Sequence, residues 1–141
     1  PMTDATLTKT IFINAAPERV WTYLVEPDKL ARWFHESDKV LEAGQDYALL
    51  RENKDKPDPK MCWGKVLVSE PPHRLVYTFT HAFLNGHETE VEWRLEAAFG
   101  GTKVTLVHTG FESFEGDVFE MLTSHDKGWD QHFSRLRMVA S

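Results

Sequence analysis

Seven histidines, one cysteine and five tryptophans are the residues of this 141-residue chain with most chemistry to offer. Spacing decides which chemistry. No two histidines form H-x-H or H-E-x-x-H, the patterns that put two imidazoles on one metal ion. His125 and His132 stand seven positions apart on a helical stretch, roughly 10 Å along its axis, too far to share an ion. The reading therefore expects no metal and no other cofactor. "SHD" at 124–126 sets serine, histidine and aspartate on consecutive helix positions, which face different ways and make no triad. Cys62 has no G-x-C-x-G frame and reads as a small buried hydrophobe. The carboxylates Glu88, Glu90, Glu92 and Glu96 recur along one strand, with i and i+2 neighbours about 7 Å apart. Interrupted by Arg94, that row reads as a solvated face.

His108 and His125 differ from these, because each falls on the inward register of its element among apolar neighbours. Three roles fit: a hydrogen-bonded buried histidine, a polar group orienting a ligand in an apolar cavity, or a general base. No partner nucleophile accompanies the third. Around them stands a set of rings: Trp33, Phe34, Trp63, Tyr77, Phe79, Trp93, Trp129 and Phe133. Core packing accounts for rings in general. Two features point further. Tyr77, Trp93 and Trp129 carry polar atoms that need partners when buried, and one twisted sheet with one helix has few inward layers for so many rings.

The elements that must position these groups follow from periodicity. "LTKTIFINA" (7–15) is β-branched and alternating, with Ile11 and Ile13 on one face. In "NAAPERVWTYLVEPDKLARWF" (14–34), Pro17 suits the first turn of a helix and Glu18 its positive end. Pro27 stops that helix, and Asp28 is the expected cap of a short second one ending near Trp33–Phe34. Strands are expected at 45–52, 61–70, 73–83, 87–97 and 102–110, with "NKDKPDPK" (53–60) a loop inside one domain. Val91, Trp93 and Leu95 face inward, as do Val104, Leu106 and His108. Gly100–Gly101 is expected to form the two-residue hairpin turn between them. Residues 117–140 form a long helix by their i, i+3/i+4 apolar steps, and Gly128 within it is expected to allow close approach to the sheet. The order is an α+β layout in which a curled antiparallel sheet wraps one terminal helix. Such an arrangement leaves a hollow, and hollows bind apolar ligands.

Composition narrows the partners. The net charge is −6 with no basic stripe, which argues against nucleic acid and anionic membrane surfaces. There is no apolar run of 18 or more residues and no signal segment, and a single cysteine makes no internal disulfide. Membrane insertion is thus not expected and the cytoplasm is the expected compartment. Pro1 ahead of Met2 reads as a remnant of expression, with residues 2–141 one domain.

In order, "INAAPERVWTYLVEPDKLARWF", "WGKVLVSEPPHRLVYTFTH", "GGTKVTLVHTGF" and "GWDQHFSRL" resemble the START-like, helix-grip (SRPBCC) superfamily. More closely they resemble the family named after the activator of heat-shock-protein-90 ATPase. The resemblance spans roughly residues 7 to 139. It implies a seven-stranded or similar sheet gripping a C-terminal helix, with a deep cavity between them, and relatives that bind lipids, sterols or polyketides. By position it puts "ARWF" at one cavity end, Tyr77, Phe79, Trp93, Leu106 and His108 on the inner sheet face, and Trp129 on the helix. The expected ligand-binding set is therefore Trp33, Phe34, Trp63, Tyr77, Phe79, Trp93, Leu106, His108, His125, Trp129 and Phe133, with a small apolar or aromatic ligand as partner and no catalytic residue. A homodimer is compatible with this reading. The rival readings are a polyketide cyclase or dehydratase-like enzyme, with pocket histidine and tyrosine as acid and base, and a co-chaperone-like interaction module. The charged loop at 53–60 and the absence of an inward acid/base pair favour binding over turnover.

Overall fold

The computed structural model describes residues 5–52, 55 and 57–141. The reading of Pro1–Met2, and residues 53, 54 and 56 of the expected loop, lie outside the described residues. Among the described residues six strands and three α-helices follow one another, β1 (Leu7–Ile13), α1 (Pro17–Val25), α2 (Pro27–Leu30), β2 (Asp46–Leu50), β3 (Lys60–Glu70), β4 (Arg74–His81), β5 (Thr89–Ala98), β6 (Gly101–Thr109) and α3 (Val118–Ala140), with one 3-10 turn, Ala82–Leu84, between β4 and β5. The strands form one antiparallel sheet in the order β1-β6-β5-β4-β3-β2. This is the expected α+β helix-grip layout, with six strands among the described residues where the resemblance implied about seven.

Alternation sets the sheet's two faces. Val91, Trp93 and Leu95 of β5 are buried, as are Val104, Leu106 and His108 of β6, while Glu88, Glu90 and Glu96 are exposed. Glu92 is half-buried on the wet face because it accepts from Arg74 Nε (2.6 Å) and Arg94 Nη2 (3.0 Å). The β5–β6 turn sits one residue earlier than expected. Phe99 (φ 48°) and Gly100 (φ 84°) make it, and Ala98 pairs with Gly101. Gly101 serves a different need: a Cβ there would lie 2.6 Å from the Ile13 carbonyl oxygen of neighbouring β1. Gly64 is more confined still, since a Cβ would meet the Thr78 oxygen at 2.0 Å. Register shifts at Leu49/Leu50 and Val66/Val68 bend β2 and β3.

Helix α3 begins at Asp117, whose carboxylate accepts from the Glu120 N–H at 3.0 Å. Its end is capped by Arg19 of α1, whose Nε donates to the Ala140 carbonyl at 3.0 Å. Lys9 of β1 bridges Asp126 and Asp130 on its flank. The buried residues of α3 are Trp129, Phe133, Leu136 and Ala140, all in its C-terminal half; Val118 and Leu122 are only half-buried. The N-terminal half is packed less closely and meets the sheet chiefly through His125 and Asp126. Gly128 marks the boundary, and a Cβ on it would meet nothing within 4 Å. The expected close approach does not occur; the glycine borders open space instead. At α2 the cap position is Glu26 rather than Asp28, because Pro27 takes the first helical position and leaves Asp28 inside the first turn. Among the described residues no helix is long and apolar enough to cross a membrane.

Two glycine-to-alanine changes should move stability in opposite directions. Gly64→Ala forces β3 from β4 and should cost about 3 kcal/mol, as overpacking does. Gly128→Ala meets no neighbour and should gain roughly 0.5–1 kcal/mol of helix propensity. Urea unfolding of both variants gives the two signs directly.

Candidate functional site

The inner face divides into a solid end and a hollow end. At the solid end Trp93 is 1% exposed. Its ring meets Trp33 edge-on at 5.8 Å, Trp129 edge-on at 5.7 Å and Phe133 at 5.6 Å. Three polar handles there are paired. Trp93 Nε1 donates to the Tyr77 hydroxyl (2.9 Å), Trp33 Nε1 to the Tyr23 carbonyl (2.7 Å) and the Tyr47 hydroxyl to the Thr78 carbonyl (2.7 Å). Burial pushes the Tyr77 hydroxyl well up, so it stays protonated.

The hollow end lies under the first half of α3. A pocket of about 460 Å³ opens there, walled by Phe34, Phe79 and Trp129, by Met61, Cys62 and Met121, and by His35, His81, His125 and His132. Gly128 forms part of its roof, and Arg51, Ala82, Phe83, Glu120 and Ser124 complete its lining. Phe83 is 76% exposed. The aromatic wall is continuous: Phe34 lies 5.4 Å from Trp129 and 6.4 Å from Phe79, which is 6.3 Å from Trp129.

Neighbours fix the tautomers of His108, His125 and His81. His108 is fully buried. Thr89 Oγ1 donates to the Phe79 carbonyl (2.7 Å), so it accepts from His108 Nε2–H (2.7 Å), and His108 Nδ1 accepts from Trp129 Nε1–H (3.0 Å). This chain runs behind the wall and ties the backbone of Phe79 to the ring of Trp129. His125 Nδ1 lies 2.7 Å from the Met121 carbonyl, which can only accept. His125 Nε2 must then accept, and His81 Nε2–H donates to it at 2.9 Å. His81 Nδ1 is left sealed and unpartnered among the described residues, as is Thr80 Oγ1, each a local cost of about 1–3 kcal/mol.

These imidazoles stay neutral. Burial, then the His125 ring, holds His81 down to about 4. Burial, then the Arg135 guanidinium, does the same for His132. Burial lowers His125 and His35 and puts His108 well below the ordinary range, its second cause being His125. Burial pushes the Cys62 thiol up to about 12, which makes it no nucleophile. Among the described residues no three His, Cys, Asp or Glu side chains are gathered to hold a metal ion.

Of the residues singled out by sequence, Phe34, Phe79, His125 and Trp129 line the pocket. Trp33, Tyr77, Trp93, Leu106 and Phe133 belong to the packed core beside it, and His108 stands one layer behind. Trp63 is the correction in direction. It alternates with the pocket-lining Cys62 on β3, opposite Ala48 and Thr80, and so faces the other side of the sheet. His35, His81 and His132 also line the pocket and are not among the residues expected there. His81 carried a usable signal, since Leu75, Tyr77 and Phe79 put it on the same alternating face.

A curved antiparallel sheet gripping a C-terminal helix over a side-chain-lined hollow defines a helix-grip domain. The chain belongs to the family described as activator of Hsp90 ATPase homolog 1-like protein, whose model matches residues 14–141. It is similar to the crystal structure of CalU16 from Micromonospora echinospora, with 26% identity, 96% of this chain and 76% of that chain covered, and a TM-score of 0.76. Protein BH1534 of Bacillus halodurans is 26% identical over 99% of this chain and 98% of that one, with a TM-score of 0.73. The Aha1 dimer of Colwellia psychrerythraea shares the fold at 18% identity, covering 99% and 96%, with a TM-score of 0.77. No curated protein matches the chain.

Two outcomes follow. Thr89→Val leaves His108 Nε2–H sealed and unpaired and should cost roughly 1–3 kcal/mol, whereas Thr89→Ser should retain most of the stability; thermal unfolding distinguishes them. The pH dependence has a definite sign. The unfolded histidines titrate near 6.5 while His81 and His132 titrate at about 4 when folded, so the unfolded chain binds more protons between those values. Stability is full above about pH 6.5 and is lost as pH falls toward 4, and the His81→Phe/His132→Phe double variant should show a shallower fall in Tm. A Tm independent of pH across that window would contradict the neutral cluster.

Proposed function

We propose that this protein binds a small, uncharged, apolar or aromatic molecule in the pocket under the N-terminal half of α3. The observation that carries the reading is the continuous wall of Phe34, Phe79 and Trp129 around a space of about 460 Å³. That volume falls within the roughly 300–1,000 Å³ of small-molecule sites, and aromatic walls with a few placed polar groups are their usual make-up. Neutral imidazoles reinforce it: they offer hydrogen bonds without a charge that would demand a counter-ion. The raised thiol and the engagement of His108 on both nitrogens favour binding over turnover. A buried, unpaired Cys62 is consistent with a reducing compartment, and we place the protein in the cytoplasm. The Colwellia relative is a dimer, and a homodimer is part of the proposal for this chain.

Fluorene, an uncharged three-ring hydrocarbon, is a suitable probe. It should quench tryptophan fluorescence with a micromolar Kd, about −8 kcal/mol. Gly128→Leu fills the pocket from its roof and should raise that Kd at least about tenfold while leaving the fold cooperative. Trp93→Phe, behind the wall, should change it by less than about threefold. Equal affinities in the Gly128→Leu and unaltered proteins would refute the pocket assignment.

A further inference from the structure

His132 has one nitrogen engaged and one that is neither partnered by the described residues nor sealed, as the free nitrogen of His81 is. Its Nδ1 lies 2.7 Å from Arg135 Nη2 on the next turn of α3. A guanidinium has five N–H groups and no acceptor, so it can only donate. The Nδ1 of His132 must therefore be a lone pair, and the proton of the neutral ring resides on Nε2. The same nitrogen lies 3.3 Å from the Trp33 carbonyl, which also accepts from Arg135 Nε at 3.3 Å, and the much shorter contact to the guanidinium decides the tautomer. Nε2–H has no protein partner among the described residues and is not sealed from solvent as His81 Nδ1 is. His132 lines the pocket, with its ring edge-on to Phe34 at 4.6 Å.

We infer that His132 is a fixed hydrogen-bond donor of the pocket, held in its Nε2–H tautomer by Arg135, and that the ligand is a planar aromatic molecule bearing a carbonyl-type acceptor, such as an aryl ketone or quinone. This rests on the pocket being the ligand site. The apolar plane lies against Phe34 and Trp129, and the carbonyl oxygen accepts from Nε2–H. The Arg135 charge beside Nδ1 also opposes protonation of the ring, so the donor stays single and neutral. Arg135 touches no ligand; it is a positioning residue that selects which proton the pocket presents. At His132 a carboxylate gains nothing over a ketone, because the neutral ring carries no charge to pair with it.

The test compares fluorene, 9-fluorenone and 9-hydroxyfluorene, which share a carbon skeleton and differ at one carbon. With the unaltered protein, 9-fluorenone should bind roughly tenfold tighter than fluorene, the worth of one neutral hydrogen bond. In His132→Phe that ratio should fall to about one, whatever the absolute affinities. Arg135→Met frees the ring to take its Nδ1–H tautomer and donate to the Trp33 carbonyl. Nε2 then becomes an acceptor, and preference should swing from the ketone to the alcohol by about tenfold. A residue that merely supports the fold would weaken all three probes alike. Fluorene binding with no ketone preference overturns the inference and leaves the pocket reading standing. Failure of all three probes to bind overturns both. Independently of any ligand, nitrogen-15 spectra of the free protein should show His132 protonated on Nε2 alone, and a ring protonated on Nδ1 overturns the inference.

Discussion

Helix α3 is wedged against the sheet along only half its length, and the rest of the structure depends on that. Trp129, Phe133, Leu136 and Ala140 reach the sheet, where Trp93 fills the space between them and Trp33. A ring as large as Trp93, standing directly under the helix, sets how close the two layers can come. On the other half of α3, Gly128 meets nothing, Met121 and Ser124 border the hollow opposite Cys62 and Phe79, and His125 closes one side of it by its hydrogen bond to His81. The solid end supplies the stability and the open end becomes available for a guest.

The second constraint is proton placement. Five imidazoles, His35, His81, His108, His125 and His132, lie in or behind this wall, close enough that charging one would disfavour charging the next. Burial keeps them neutral, and hydrogen bonds to groups of fixed polarity then decide which nitrogen of a ring holds its proton. The Met121 carbonyl does so for His125, the Thr89 hydroxyl and Trp129 indole for His108, and the Arg135 guanidinium for His132. The pocket therefore presents a defined pattern of donors and lone pairs without net charge. The soft side chains of Met61, Met121 and Cys62 complete a surface suited to flat, polarizable molecules.

Much of the fold was legible because period-2 and period-3.6 patterns are strong here. The alternation from Thr89 to Ala98 named the buried face of β5 correctly, and the apolar steps of α3 named Trp129, Leu136 and Ala140 while leaving open whether Phe133 or His132 turns inward, which the structure gives to Phe133. The pocket's location was less legible. Alternation states that Trp93 and Phe79 share a face; it does not state which of them the helix covers and which it leaves bare. Trp63 went astray because the register of β3 is set by its pairing with Ala48 and Thr80, beside bulges that composition does not reveal. The Gly100–Gly101 turn shifted by one because the closeness of the Ile13 carbonyl to Gly101 is a contact between strands far apart in the chain. His132 was passed over as one of two helix histidines too far apart for a metal, when its meaning lies in Arg135 three residues on.

Xenon enters apolar cavities that water leaves dry, so diffraction from a xenon-pressurised crystal tests the central claim most directly. Anomalous density should appear between Phe79 and the Gly128 roof of α3, with none around Trp93. Density at the Trp93 end, or a pocket without xenon, would contradict the division into a packed half and an open one.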